Sequence, residues 1–585
     1  MKFVASFYNV TVIINGVGRI SWIRIYCYSL TPTLDVSDIE DVSAADPPDG
    51  NEAISPATEP GRSAAPKPRK RRKRCTQRQE EIDQALAKMI AINQMPLAFT
   101  TSTGFRHFMG VVEPSYKPPS VGKLKNRIKL LHNQLREKIG SQIDSATTVA
   151  LTSDCWTSRA QDSYITVTAH TLDSEWKSQA FTLATEEMPE RHTGENITQR
   201  MQDVISGWKL DGKVTAVVTD NAPNGINAVN ALEGILETND VTCSAHSLHL
   251  SIKKALSKKE IKELCQKSGR LVAHFRHSTI ASDELSRRQE LLGLPTERLT
   301  QSCPTRWSST YEKLTKLIKH RSAIQSVLAD RTIVTAKTAQ NLEISQQEWN
   351  VVSELCEVLE PLHLATTILC SDTMSLVSMV RPVMKAVMKK LEHHSTDDFQ
   401  VDDFKEVVRM EISRRFSLDW DAQQSSVSAR QRASFLDPRY KWLQYEEPDA
   451  RETIRTNVTE MLNDFTSSVD ESGMGTTQTE ATALDILLNE QPRVSDLSAQ
   501  FDAYLSEPQL GHNLDALKWW KDNESKFPLV AELAKKYMCI PASSASSERV
   551  FLTAGNIITA KRSCLLPENV SCLVFLYQNR AYMDV

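Results

Sequence analysis

Two aspartates and a glutamate, far apart in the chain, are the residue types that phosphodiester chemistry needs. Asp154 closes a strand-like run within TTVALTSDCW, and Asp220 closes VTAVVTD. The spacing thus predicts a carboxylate at the end of each of two strands. Strand ends of an α/β sheet open into the crevice where ligands bind. If the two strands are neighbours, the carboxylates converge and offer hard oxygen ligands to a divalent cation. Two such ions about 3.5–4 Å apart activate a water and stabilise the leaving oxygen of a phosphodiester. Glu548, in SSASSERVF, follows five residues that are all serine or alanine and is the expected third ligand, delivered by a helix. Taken singly, each aspartate also fits a turn or a helix cap, and Glu548 also fits a solvent-facing helix charge. The separation of the carboxylates decides between these readings.

The elements that must position the three residues follow from periodicity. YITVTAHTL (164–172) alternates as a second strand and SQAFTLATEEM (178–188) as a third. A helix follows from about Glu195 to Trp208. VTAVVTD (214–220) is a continuous apolar run, as for a strand buried on both faces. NAPNGINAVNAL makes a helix with Pro223 in its first turn, and VTCSAH begins a fifth strand. From Leu294 to Ser472 there are 179 residues without a glycine. Hairpins use glycine freely and helices tolerate it poorly, so a large helical block is expected there. Residues 465–497 read as a flexible insertion, and structure resumes near Phe501.

At 585 residues the chain has room for about four domains. Its eleven cysteines are odd in number and form no CxxC pair, which points to a reducing compartment and removes the commonest zinc-finger signature. No apolar run is long enough to span a membrane. The stretch 3–17 is interrupted by asparagines and lacks a cleavage site, so a short strand is expected there rather than a signal peptide.

The net charge of −4 hides an asymmetry: residues 67–140 hold 17 Lys or Arg against 5 Asp or Glu. A basic segment on an acidic body is the electrostatic footprint of nucleic-acid binding. Residues 35–66 have the composition of a disordered linker. They run into KPRKRRKR (67–74), where Arg69, Lys70, Arg71, Arg72, Lys73 and Arg74 read as a nuclear localisation signal or a phosphate-binding arm; a merely solvated charge run is the other reading. A helix is expected from Thr76, with Gln79 closing a capping box. A second, over about 120–139, carries an apolar stripe with Lys123, Lys125, Arg127 and Lys129 on its remaining faces. It either meets DNA phosphates, packs in a bundle, or does both.

The chain resembles the hAT superfamily of DNA transposases and the BED-type zinc-finger proteins derived from them. The matching stretches are LTSDCWTSRAQDSYITVTAH, HTGENI, AVVTDNAPN, CSAHSLHL, PTRWSSTY, FLDPRYK and the C-terminal WWKDNESKFPLVAELAKKYMCIPASSASSERVFLTAGNIITAKRS, in family order over about 145–580. The resemblance implies an α/β fold: an RNase H-like core interrupted by a large all-α insertion, with N-terminal helices and a disordered N-terminus. The expected divisions are 1–75, mostly disordered with the basic run, and 76–145, a basic helical segment. The core begins at 146–260, the helical insertion covers 261–500, and 501–585 is a dimerisation region that completes the core. The resemblance also implies a catalytic D-D-E triad at Asp154, Asp220 and Glu548, holding Mg2+ or Mn2+ and cutting DNA. Cys243 and His246 match the family's C-x2-H, where zinc is not expected. Arg306 and Trp307 match its RW motif, whose tryptophan lies near the active site and can stack on a base. No BED finger precedes the core, since residues 1–75 contain only Cys27 and Cys75 and no histidine. The expected protein is nuclear, dimeric and DNA-binding, either domesticated or still an active transposase, with no membrane association.

Overall fold

The computed structural model describes residues 5–8, 25–28, 69–158, 161–232, 234–371, 375–393, 398–421, 426–471, 497–557 and 565–583. Residues 1–69 form one unit, with β1 (Ala5–Tyr8) antiparallel to β2 (Ile25–Tyr28) and Ala5 opposite Tyr28. β1 falls inside the stretch expected to hold a short strand. The linker expected at 35–66 lies outside the described residues.

The second unit begins at Lys70, within α1 (Arg69–Ile92), a helix that starts seven residues ahead of the expected Thr76. Lysine and arginine are good helix formers, and the basic run is helical from Arg69 onward. Gln79 does not close a capping box. Its amide donates to the Lys117 carbonyl (2.8 Å) and accepts from the Lys117 N–H (3.1 Å), tying α1 to the loop before α3. After α2 (Thr103–Val112), α3 (Val121–Asp144) begins at Ser120, whose hydroxyl accepts from the Lys123 N–H. Its apolar stripe from Leu124 to Ile143 is buried.

The sheet has the order β5-β4-β3-β6, from β3 (Val149–Thr157), β4 (Ser163–Leu172), β5 (Ser178–Glu187) and β6 (Val214–Val218). β3 pairs antiparallel with β4 and parallel with β6, so the first and fourth strands of this sheet are neighbours. The crossover to β6 contains α4 (Gly194–Gly207), and α5 (Pro223–Ala231) follows β6. The expected fifth strand is reduced to two isolated parallel bridges, Ala216 to Thr238 and Thr219 to Thr242. The Cys243 N–H donates to the Thr219 carbonyl, and the chain turns at once into α6 (Ser244–Leu256).

Alternation along the strands divides the core. Val149, Leu151, Val214 and Val217 pack with α3 residues such as Leu135 and Ile139 and with the C-terminal Val574 and Phe575. Ala150, Ala216 and Val218 pack with Leu248 and Ile252 of α6 and with the helices that follow. Each fully buried Val, Leu, Ile or Phe side chain among them contributes about 1.5–3 kcal/mol.

After α6 come α7 (Lys259–His277), α8 (Thr279–Leu291), α9 (Ser308–Lys319), α10 (Arg321–Ala329), α11 (Ala336–Leu342), α12 (Gln346–Leu369), α13 (Val380–Lys390), α14 (Phe399–Phe416), α15 (Ala429–Leu436) and α16 (Pro448–Glu471), with no strand among the described residues, as the missing glycines predict. α16 continues to Glu471, so residues 465–471 are helical rather than part of a loop. Residues 472–496 lie outside the described residues. FLDPRYK joins this block to the C-terminal region. Its buried Asp437 takes Arg439 and the Ser378 hydroxyl, and Lys441 donates to the Tyr504 carbonyl. The C-terminal helices are α17 (Leu497–Ser506), α18 (Ala516–Asn523), α19 (Pro528–Met538), α20 (Ala545–Ile557) and α21 (Pro567–Gln578). Trp520, fully buried in α18, stacks on Trp176 at 5.7 Å and donates to the Leu436 carbonyl.

Candidate carboxylate site

In the parallel ladder Thr152 lies opposite Val218. Two residues further along each strand come Asp154 and Asp220, so the two carboxylates leave the sheet side by side. Both line one cavity of about 200 Å³, with His192, Asn224 and Gly225. Asp154 lies inside β3 rather than at its end, because pairing with β4 continues as far as Thr157 opposite Ser163. Asp220 follows β6, and its Oδ1 accepts from the Ala222 N–H (3.1 Å), which turns the chain into α5. The turn role weighed for an aspartate after a strand is therefore real, and it coexists with the shared cavity. A Cβ at Gly225 would meet Asp220 Oδ1 at 3.3 Å, so a bare glycine lets the first turn of α5 lie against the carboxylate.

Glu548 arrives on the first turn of α20. The approach to that helix is held by backbone bonds. The Ala542 carbonyl accepts from the Ser244 N–H, the Ser544 N–H donates to Cys243 Sγ, and the Ser543 hydroxyl donates to the Leu369 carbonyl. The serine run then grips the sheet. Thr152 Oγ1 lies 3.0 Å from Ser546 Oγ and 2.8 Å from Ser547 Oγ, and Ser546 Oγ lies 3.2 Å from His170 Nε2. His170 is buried, and burial pushes its pKa down to about 4, so it sits neutral at physiological pH. One turn beyond Glu548, Phe551 stacks on Trp156 at 5.9 Å, and Trp156 in turn stacks on Tyr164 at 4.8 Å.

The electrostatics reflect this convergence. Burial, then the charges of Asp220 and Glu548, push the Asp154 carboxyl up to about 7. Glu548 keeps solvent exposure. Its pKa is raised by the protein mass around it and by Asp220, and is opposed by the nearby Arg306. A site with three repelling carboxylates favours a bound cation or a shared proton. His192 Nε2, buried beside the same cavity, has no hydrogen-bond partner. Among the described residues, however, no three His, Cys, Asp or Glu side chains stand close enough together to hold one ion. Asp154 and Asp220 are the converging pair, and Glu548 interacts with them through its charge.

Cys243 is buried, and its thiol, pushed up chiefly by burial, is engaged by Ser544. His246 is half-buried; burial lowers its pKa and Asp220 opposes that shift. Arg306 is exposed. Trp307 is only 5% exposed and meets His363 edge-on at 6.3 Å, so it is a core aromatic in this structure rather than an open stacking platform.

The residues expected to bind DNA are divided. The side chains of Arg69, Lys70, Arg71, Arg72, Lys73 and Arg74 lie outside the described residues, although their backbone is helical. Lys123 is paired at 2.6 Å with the buried Asp83, which also accepts from Tyr116, and Arg127 is paired with Glu80. Lys125 is half-buried and Lys129 exposed. The sequence reading missed Thr152 and His170 as partners of the serine run. The period-two spacing of Thr152 and Asp154 was the available signal.

A small mixed sheet with two aspartates side by side, and a glutamate returned to it by a C-terminal helix, defines an RNase-like domain. Comparison with known proteins agrees. Residues 152–248 match the ZBED1 RNase-like domain, 241–358 the ZBED1 RNase-like helical domain, and 500–580 the hAT family C-terminal dimerisation region. The human zinc finger BED domain-containing protein 4 is 24% identical over 86% of this chain and 43% of its own length. A Zea mays protein described as an AC transposase is 23% identical over 83% of the chain and 63% of its own length. The Arabidopsis thaliana BED protein DAYSLEEPER is 25% identical over 85% and 73%. The chain thus spans less than two thirds of the human and maize relatives. The Drosophila P element transposase strand transfer complex aligns over 58% of this chain and 86% of that one, at 9% identity and a TM-score of 0.26. The chain is thus similar, over most of its length, to hAT transposases and to BED-type zinc-finger proteins. No helix among the described residues is long and apolar enough to cross a membrane.

Proposed function

We propose that the chain is a nuclear, hAT-transposase-derived protein that dimerises through its C-terminal region, binds DNA, and has been domesticated from its transposing ancestor. The match of residues 500–580 to the dimerisation region supports self-association. The basic run at 67–74 supports nuclear import. The helices between 261 and 500 are read as an insertion into an RNase H-like core that 501–585 completes.

A second reading, retained metal-dependent DNA cleavage, is favoured by one observation: Asp154 and Asp220 share a cavity, and both carry charge within reach of Glu548. These carboxylates fit Mg2+ or Mn2+ in donor type and in their lack of a paired cation among the described residues. Bound there, the ion supplies Lewis-acid activation of a water and charge neutralisation at the phosphodiester. Within the chain, the Thr152 clamp and the Cys243–Ser544 bond would keep Glu548 over the sheet, and Arg306 would oppose negative charge beside it.

Nicking of a DNA duplex in Mn2+, compared between the wild-type chain and Asp154→Asn, separates the readings. Cleavage lost in the variant establishes the enzyme. Equal inactivity, with DNA binding retained, leaves the domesticated DNA-binding protein.

A further inference from the structure

A cavity of about 750 Å³ lies outside the carboxylate pair, and Lys253, Lys262, Arg270 and Arg306 are among the residues lining it. One wall is α6, where His246, His249 and Lys253 are spaced by three and four residues and so share a face. His246 feels the charge of Asp220, and its ring lies 6.1 Å from that of His249, which lines the cavity with Lys253. The opposite wall is α7, which contributes Lys262 and Arg270 with the bare backbone of Gly269 between them. A Cβ at Gly269 would meet nothing within 4 Å, so the space in front of it is open. The third side is the loop carrying Arg306, whose charge reaches Glu548. The floor holds Lys313, whose Nζ donates to the Cys265 carbonyl.

Lys253, Lys262, Arg270 and Arg306 form no ion pair with any described carboxylate. The neighbouring Lys254 and Lys258 point elsewhere and are taken by Glu411 and Asp403. Lys253, Lys262 and Arg270 are exposed cations without an ion-pair partner, Arg306 adds a fourth positive charge beside Glu548, and an anion in the cleft relieves the repulsion among them. Both ends of the group lead back to the carboxylates, through His246 on one side and Arg306 on the other. From His246 to Lys253 is about 10 Å of helix. A cavity of this size takes a drug-sized ligand, which matches a few nucleotides of one strand and excludes a double helix.

We infer that this cleft between α6, α7 and the Arg306 loop binds the phosphate backbone of a single nucleic-acid strand entering or leaving the carboxylate site. The inference rests on the DNA-binding reading above and assigns the strand to residues far in sequence from the basic N-terminal helices. Its test uses the full chain and a fluorescent 20-nucleotide single strand, with affinity measured across a salt series. Each released phosphate contact contributes about 0.7 to the slope for a single strand. The variant Lys253→Ala/Lys262→Ala/Arg270→Ala is expected to bind at least tenfold more weakly and to lower the slope by about two. The paired Lys254→Ala/Lys258→Ala variant controls for general loss of charge and is expected to change neither quantity. Wild-type affinity and slope in the triple variant, or an equal loss in the control, would overturn the cleft. A strand that binds through these residues but is never cut leaves the cleft standing and removes only the cleavage reading. A strand that is cut yet binds independently of them does the reverse.

Discussion

Thr152 and Ser547 stand 395 residues apart in the chain, and their hydroxyl oxygens lie 2.8 Å apart. Thr152 sits two residues before Asp154 on the same face of β3, and Ser547 sits immediately before Glu548. The bond therefore ties the carrier of one acidic residue to the carrier of another. Replacing Ser547 with Ala removes one of the hydrogen bonds of the buried Thr152 hydroxyl, which keeps Ser546 and His170, at about 0.5–1.5 kcal/mol. In a double-mutant cycle with Thr152→Val, measured by urea unfolding, the two changes should couple by at least about 0.5 kcal/mol. Simple additivity would mean that the pair does not act as a clamp.

Asp154 makes stability depend on pH. Its carboxyl is pushed from the ordinary 3.8 up to about 7 in the folded chain, so the folded state holds the proton more tightly than the unfolded one. The resulting stabilisation is fully present below about pH 4 and is lost as pH rises through about 7. Asp154→Asn should flatten that loss and make the chain more stable than wild type at pH 8, by on the order of 2 kcal/mol after solvent screening. Thermal unfolding at pH 5 and pH 8 reads this directly. An unchanged or larger loss in the variant would contradict the assignment.

Asp83 is the buried hub between α1 and α3, accepting from Tyr116 at 2.9 Å and pairing with Lys123. Asp83→Ala should cost about 2–4 kcal/mol by leaving these groups without their acceptor. Lys129→Ala, at an exposed position, should stay within about 0.5 kcal/mol. Comparable effects at the two positions would show that the helices are not held by this hub.

The C-terminal region that matches the hAT dimerisation region also belongs to the core of this chain. Val574, Phe575 and Leu576 of α21 pack with the sheet, and Trp520 of α18 is fully buried. A chain ending at residue 499 should therefore lose cooperative unfolding in calorimetry rather than yield a folded monomer. A sharp transition from that truncation would place the core elsewhere.

Much of the fold was legible because its signals are local. The alternation of YITVTAHTL and the unbroken apolar run before Asp220 gave strands, and the missing glycines gave the helical block. The fifth strand was overestimated because VTCSAH has β-forming residues, while tertiary bonds from Cys243 and Ser244 pull the chain into α6. The start of α1 was misplaced because Thr76 and Gln79 imitate a cap; the lysines and arginines before them carry the helix through. Asp220 was readable as an acid just past its strand, whereas Asp154 was expected at a strand end that lies further on, at Thr157. The grip of Ser546 and Ser547 on Thr152 and His170 was not readable, since it joins segments nearly 400 residues apart. Nor was the cationic cleft, because Lys253, Lys262, Arg270 and Arg306 come from three elements whose packing alone brings them together.

The cleavage reading requires that Asp154 and Asp220, with Glu548 beside them, form a site for a divalent cation. Titrating the full chain with Mn2+ and following the free ion by electron paramagnetic resonance tests it without requiring activity. Saturable binding at pH 8, weakened at least tenfold in both Asp154→Asn and Asp220→Asn and weaker in wild type at pH 6, is the predicted result. Mn2+ binding that is absent from the wild type, or equal in the wild type and both variants, would contradict it.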